Sequence, residues 1–323
     1  MSKRDAAPSD PSGKGRGNLP RVRIITDACY AAPRSITDGP MQQRTQVDLV
    51  LDTIGNVPLK DDRALMEFPF FSLEKRPRME PLVYDDGRVQ IRISPGERGI
   101  ATIWDKDLLI YLASLINDRL ERGLEVSRTV TFSAHDFLTL TKRGTSNAVY
   151  EQFTDALFRL RSTTITTSIL AGDEREERGF GWVDNFRIVR KETRSGRKIM
   201  AGIEVTLNDW MFRAIVKDRR ILTINPRYFT LTMGLERRLY ELARKHLGQQ
   251  PNWQIGLPRL AEKCGSRREL RKLKAEIVNI MERDSLPDYA ISLQLPPAGT
   301  LARQRNDRVQ VIFKPRSEGG PCG

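Results

Sequence analysis

Apolar residues recur at helical spacing three times in the middle of the chain and three times again near its end. In DKDLLIYLASLINDRLERG the set Leu108, Leu112, Leu115, Ile116 and Leu120 predicts a long helix, with Asp105 placed to cap it and Gly123 to end it. A short strand, RTVTF, leads to SAHDFLTLT, where Ser133 can cap a brief second helix. The stretch KRGTSNAVYEQFTDALFRLRSTTI then places Val149, Phe153, Ala156, Leu157 and Leu160 on one helical face. β-branched residues take over at STTITTSIL, a predicted strand. An acidic-basic loop, GDEREERG, separates it from WVDNFRIVRKE and RKIMAGIEVTL, which flank Ser195-Gly196 as a hairpin. In the second of these Ile199, Ala201, Ile203, Val205 and Leu207 alternate with period two. Helix, short helix, helix, then β-hairpin is the order of a winged helix.

The order repeats. GLERRLYELARKHLG places Leu235, Leu239, Leu242 and Ala243 on one face, with Gly248 as its stop. GLPRLAEKCG reads as a short helix. SRRELRKLKAEIVNIM buries Leu270, Leu273, Ile277 and Ile280, and its Ser266-x-x-Glu269 opening is a capping box that predicts a helix start there. The strands YAISLQL and RVQVIFKP follow. Similar offsets in the same order argue for an internal duplication.

Upstream, LVYDDGRVQIRIS predicts a hairpin with Asp86-Gly87 at its turn. Large apolar residues become dense at LMEFPFFSL, whereas APSDPSGKGRGNLP is rich in Pro, Gly and Ser. The expected organisation is therefore α+β: a flexible N-terminal arm (1–64), two tandem winged-helix domains (65–222 and 223–318) and a tail (319–323).

Composition narrows the function classes. Of 323 residues 39% are hydrophobic, enough for real cores, and the net charge of +13 points to a polyanionic partner. Residues 1–64 carry 10 Lys+Arg against 8 Asp+Glu, 65–222 carry 26 against 23, and 223–323 carry 18 against 10. The positive field thus belongs mostly to the last third. The three cysteines, 29, 264 and 322, form no disulfide or metal spacing, which favours a reducing cytosol. Without an apolar signal core or a run of 18 apolar residues, a soluble cytoplasmic protein with no membrane partner is expected.

In a helix-turn-helix the second helix presents its N-terminal residues to base edges. In the first copy these are Thr145, Ser146, Asn147 and Tyr150, preceded by Lys142 and Arg143. Ser and Asn can bond base edges and the cations can neutralise phosphates; equally, Ser146 can simply cap the helix. The second copy offers Ser266 at the matching opening, then Arg267, Arg268, Arg271, Lys272 and Lys274 against only Glu269 and Glu276. Five cations on the outward face of a helix fit DNA better than solubility alone. Arg194, Arg197 and Lys198 at the hairpin tip suit phosphate or minor-groove contact, or plain solvation.

Catalytic readings find little support. There is no Gly-x-x-x-x-Gly-Lys-Ser/Thr loop, so no P-loop nucleotide site. His135 and His246 stand 111 positions apart, unlike the paired histidines of a nicking enzyme. The pairs Asp61-Asp62 and Asp85-Asp86 fall in arm or turn contexts. No cofactor, metal or enzymatic activity is expected.

The blocks FPFFSLEKRPRMEPLVY, GIATIWDKDLLIYLASLIND, LTLTKRGTSNAVYEQFTDALFRLRSTTI and LTINPRYFTLTMGLERRLYELARKHLG together resemble the plasmid replication initiator protein A family, over about Phe68 to Pro315. That resemblance implies a double winged-helix initiator binding direct repeats (iterons) in double-stranded origin DNA. It also implies origin opening, recruitment of the host replicative helicase and initiator ATPase, and a homodimeric form that represses its own promoter. The rival readings are a winged-helix transcriptional regulator, a nicking or priming enzyme, and a membrane-surface scaffold, for which no amphipathic anchor is evident.

Overall fold

The computed structural model describes residues 58–171, 174–192, 198–297 and 306–316. The described chain enters its fold earlier than the sequence pattern suggests. Leu59 is core, and β1 (Lys60–Asp62) leads directly into α1 (Arg63–Glu67), whose first amides are capped by Asp62. Residues 58–64, expected in a flexible arm, are therefore folded; residues 1–57 lie outside the described residues. A hairpin follows, β2 (Leu82–Asp85) and β3 (Val89–Ser94). Gly87 turns it at φ 86°, and Asp86 Oδ1 accepts the amides of Arg88 and Val89 at 3.2 and 3.0 Å. Asp85-Asp86 is thus a turn, as the sequence suggested.

Helix α2 (Lys106–Glu121) is buried on every side from Lys106 to Asn117, more than a single stripe predicts. The reason is its position. Leu108, Leu109 and Leu112 belong to one hydrophobic core, whereas Ile110 belongs to the other. Asp105 does not cap it; both carboxylate oxygens instead receive Arg159, at 2.7 and 2.8 Å. Then come β4 (Thr129–Phe132), α3 (Ala134–Leu140) and α4 (Asn147–Ser162), whose Phe153, Ala156, Leu157 and Leu160 are buried as the pattern requires. Ser133 makes no side-chain cap bond to α3.

The acidic-basic stretch is a correction. Glu174–Phe180 forms a strand, β6, paired antiparallel with β5 (Thr164–Ala171) rather than a loop. The charges on it did not prevent pairing because it lies at a sheet edge, order β2-β3-β5-β6. The predicted hairpin is present as β7 (Val183–Glu192) and β8 (Lys198–Leu207). Several elements have no counterpart in the sequence reading, β1 and α1 among them; here they are α5 (Asp209–Val216), capped by Asn208 onto the Met211 amide at 2.8 Å, and β9 (Ile221–Thr223), which pairs with β1.

After a 3-10 turn (Pro226–Thr230), the second set begins with α6 (Gly234–Leu247), β10 (Trp253–Gly256), α7 (Leu257–Lys263), α8 (Leu270–Arg283), β11 (Tyr289–Gln294) and β12 (Gln310–Pro315). The duplication shows most clearly in the sheets. In the first set, the strand before the short helix pairs with the last strand of the hairpin, order β4-β8-β7; in the second the order is β10-β12-β11. The β5-β6 hairpin is an addition to the first set only.

Each set has its own core. One runs from Leu65 to Ile215; the other is built from Ile224 to Phe313 with Leu59, Met66 and Ile110. Between them lie buried charges. Helix α6 buries Leu235, Leu239, Leu242 and Ala243 as predicted, yet also Glu236, Arg237, Arg238 and Glu241. Buried charges are tolerated only when paired and hydrogen-bonded, and those of α6 are both. Lys106 Nζ lies 2.6 Å from Asp61 and 2.8 Å from Glu241. Burial alone would lower the Lys106 ammonium pKa, but the two carboxylates hold it above the ordinary lysine value. Arg238 donates to the carbonyls of Met66 and Glu67 at 3.0 Å each and to Lys263 at 2.7 Å, satisfying the exposed ends of two helices. Glu67 receives Lys245, Lys263 and His246.

Candidate nucleic-acid interface

The residues flagged for DNA contact separate by what already holds them. At the start of α4, Lys142, Thr145, Ser146 and Asn147 are exposed, and Tyr150 is half-buried against the first core. Ser146 stands at the N-cap position but makes no side-chain cap bond, so its hydroxyl remains available. Lys142 adopts φ 54°, the left-handed conformation that turns the chain from α3 toward α4. Arg143 differs from its neighbours. Its Nη2 donates to the Trp104 carbonyl at 2.6 Å and to Asp107 at 2.7 Å, so its charge is already compensated inside the protein.

In the second set the capping box predicted from Ser266 does not form. The Ser266 amide instead donates to the Ala261 carbonyl at 3.0 Å, and Gly265, at φ 62°, donates to Glu262 at 2.9 Å. These bonds close the end of α7 in a Schellman motif, so α8 starts later, at Leu270, with Glu269 at its N-cap position. Ser266, Arg267 and Arg268 consequently lie in the turn between α7 and α8 rather than on the helix. Ser266 Oγ accepts the Arg268 amide at 3.3 Å. Arg267 donates to Glu80 at 2.7 Å and to the Pro81 carbonyl at 2.9 Å; Arg268 pairs with Glu276.

Helix α8 itself buries Leu273, Ile277 and Ile280 and turns its other side outward. Arg271 and Lys272 are exposed and Lys274 is half-exposed. Lys272 comes no nearer than 3.9 Å to Glu269. Arg271 and Lys274 have no ion-pair or hydrogen-bond partner among the described residues. Cations left unneutralised by their own protein are the ones best able to displace counterions from a phosphate backbone. A cleft of about 580 Å³ opens beside this turn, with Arg78, Arg267 and Arg268 facing Glu74, Glu80 and Glu276 over a floor that includes Leu82 and Leu273.

Arg194 and Arg197 lie outside the described residues, as does the side chain of Lys198. Sequence reasoning passed over the connection from β11 to β12, whose described end carries exposed Arg308; the run RQRNDR is the signal that points to it. It also missed Arg259, which reaches from α7 to the Tyr84 hydroxyl at 3.1 Å and to Asp86 at 3.4 Å. No local pattern announces that contact.

Among the described residues there is no group of three or more His, Cys, Asp or Glu side chains able to hold a metal ion. Nor is any described helix long and apolar enough to cross a membrane. Asp61 and Asp62 are both buried, one against Lys106 and one capping α1.

Comparison with known proteins adds the following. The family described as Replication initiator protein A matches residues 60–291. A "Putative replication protein" of Wigglesworthia glossinidia brevipalpis is 34% identical over 248 residues, covering 76% of this chain and 89% of that protein. Among solved structures, a crystal structure of domains 2 and 3 of RctB is similar with a TM-score of 0.59 at 15% identity, covering 79% of this chain and 99% of that one. A second structure of the same RctB domains gives a TM-score of 0.52 at 13% identity, covering 77% and 95%. At such identities the likeness concerns the fold alone.

Proposed function

The chain belongs to the replication initiator protein A family, and from that premise we propose that it starts replication by binding repeated sites in double-stranded origin DNA through two winged-helix modules. The observation that carries this reading is the duplicated topology, β4-β8-β7 and β10-β12-β11, with a third helix in each set that buries one face and exposes the other. In each module that helix enters the major groove. Ser146 and Asn147 address base edges in the first module. Arg271, unpaired among the described residues, does so in the second, where a bidentate guanidinium-guanine pair contributes roughly 1–3 kcal/mol of discrimination. Arg267 and Arg268, held by Glu80 and Glu276, shape the turn that presents it. Lys142, Lys272 and Lys274 contact phosphates, and the tips of the hairpins, including Arg194, Arg197 and Lys198, brush the backbone. The resulting complex bends or strains the duplex enough to help open the origin, and the bound protein recruits the host helicase and initiator ATPase. It acts by binding and breaks no covalent bond. A homodimeric form represses the promoter of its own gene.

Footprinting the protein on DNA flanking its gene tests this directly. Regularly spaced protected repeats are expected, on a fragment that replicates autonomously when the protein is supplied. Specific affinity should fall in the range of about 10⁻⁸–10⁻¹¹ M at physiological salt. Replacing Lys272 and Lys274 together with Ala should reduce the slope of log affinity against log salt by about 1.8, two phosphate contacts' worth. An unchanged slope removes both lysines from the interface, and the absence of protected repeats removes the reading.

A further inference from the structure

Each DNA-reading turn is linked to the opposite module, the first through a carboxylate it shares with that module and the second directly. In the first module, Arg143 sits in the turn before α4 and donates to Asp107 Oδ2 at 2.7 Å. The other oxygen of the same buried carboxylate, Oδ1, accepts Arg237 Nη1 of α6 at 2.6 Å. Arg237 is in turn fixed by the carbonyls of Leu231 at 3.0 Å and Phe229 at 3.2 Å, both in the second module. One carboxylate therefore grips a reading turn with one oxygen and the opposite module with the other. The second module shows the converse arrangement. Arg267, in the turn before α8, is held by Glu80 Oε2 at 2.7 Å and the Pro81 carbonyl at 2.9 Å, in the segment between α1 and β2. Arg259 adds a contact from α7 to the β2-β3 hairpin.

From these contacts we infer that Asp107 and Glu80 are positioning residues that set the distance and rotational register between the two DNA-reading turns, so that the protein measures its site as one rigid ruler. The inference rests on the proposed binding of one repeat by both modules. Two modules on a slack tether would follow a change in spacing at little cost, because the second binding event depends only on effective concentration. A ruler cannot follow it. One inserted base pair moves half the site by about 3.4 Å and turns it by about 35°. Hydrogen bonds of ordinary length do not survive a displacement of that size.

The test uses the full chain and a labelled duplex carrying one footprinted repeat, together with a duplex bearing one extra base pair between the two protected patches. Affinities are read by fluorescence anisotropy. Wild type should lose about 30-fold or more on insertion, the order of one or two lost base-specific contacts. The R143A/E80A double variant should bind the native repeat less tightly and lose only about threefold or less on insertion, because its reading turns can then shift although Arg237 and Asp107 still join the modules. E80Q retains a carbonyl acceptor for Arg267 and should keep most of the wild-type penalty. Asp107 is left unchanged, because substituting it strands Arg237 in the interior; thermal melting checks that both variants remain folded. R143A alone should leave the salt slope unchanged, whereas a fall of about 0.9 identifies Arg143 as a phosphate contact and overturns its positioning role. An insertion penalty equal in wild type and double variant, or absent from wild type, overturns the ruler. A wild-type protein with no preference for any repeat fails at the earlier step and refutes the binding reading itself.

Discussion

Gly234 opens α6 against the backbone of Leu73, whose side chain packs on both cores, and its replacement by alanine tests how rigid that junction is. A Cβ built there would lie 2.2 Å from the Leu73 carbonyl oxygen, 2.8 Å from its carbon and 2.9 Å from the Leu73 Cα. All three are backbone atoms, so no side chain can swing aside. Reaching ordinary contact requires α6 and the Leu73 segment to separate by about 1 Å, and overpacking on that scale costs roughly 1–3 kcal/mol. The same shift stretches the 2.6 Å bond from Arg237 to Asp107 beyond useful length and disturbs the carbonyls held by Arg238. Weakening buried charge contacts brings the total to about 3–5 kcal/mol. The better helix propensity of alanine offsets at most about 1 kcal/mol. At about 2–4 °C per kcal/mol for a folded unit of this size, the melting temperature should fall by about 10 °C in calorimetry. Gly144 supplies the control, since nothing lies within 4 Å of a Cβ there. G144A should melt within about 2 °C of wild type, the range of neutral surface changes. If G234A melts as G144A does, the junction is plastic and the magnitudes assigned to its buried contacts are wrong.

Two further predictions concern pH. Burial raises the Glu67 pKa, but His246, Lys245 and Lys263 outweigh it and hold the carboxyl well below the usual range. A carboxylate depressed in the folded state contributes stability above its unfolded value, which is lost as pH falls below about 4.5. E67Q should lower the urea midpoint at neutral pH and flatten this acid limb; an unaltered limb excludes Glu67 as its source. Asp61 titrates in the opposite sense, because burial outweighs Lys106 and raises it to about 7. The folded state then holds a proton that the unfolded chain has released, so this group costs stability as pH rises from about 4 to 7, by up to about 1.4 kcal/mol per unit. D61N removes the titration, and its stability relative to wild type should climb across that window; parallel pH profiles for the two proteins contradict the assignment.

The helices and hairpins were legible because their signals are local. A buried stripe repeats every three to four residues in α4 and α8 whatever surrounds it, and Asp86-Gly87 turns a chain on its own geometry. Local motifs failed where two claimed the same residue. Ser266 is both the first residue of a capping box and the residue after the helix-ending Gly265, and the Schellman closure of α7 took it. Sheet position decided the fate of EREERGF, a strand only because the β5 edge was there to receive it.

The sequence by itself determined the duplicated order of three helices followed by two strands, the two apolar cores and the excess of cations in the last third, since each follows from residue type and spacing. Only the tertiary structure decided which charges are spent and which are free. Arg143 and Arg271 look alike in the chain, yet one is bound to Asp107 and the other faces outward. Asp107 and Arg237 are 130 positions apart, and a charge pair is set by distance in space and by the loss of water around it. No periodicity along the chain encodes either.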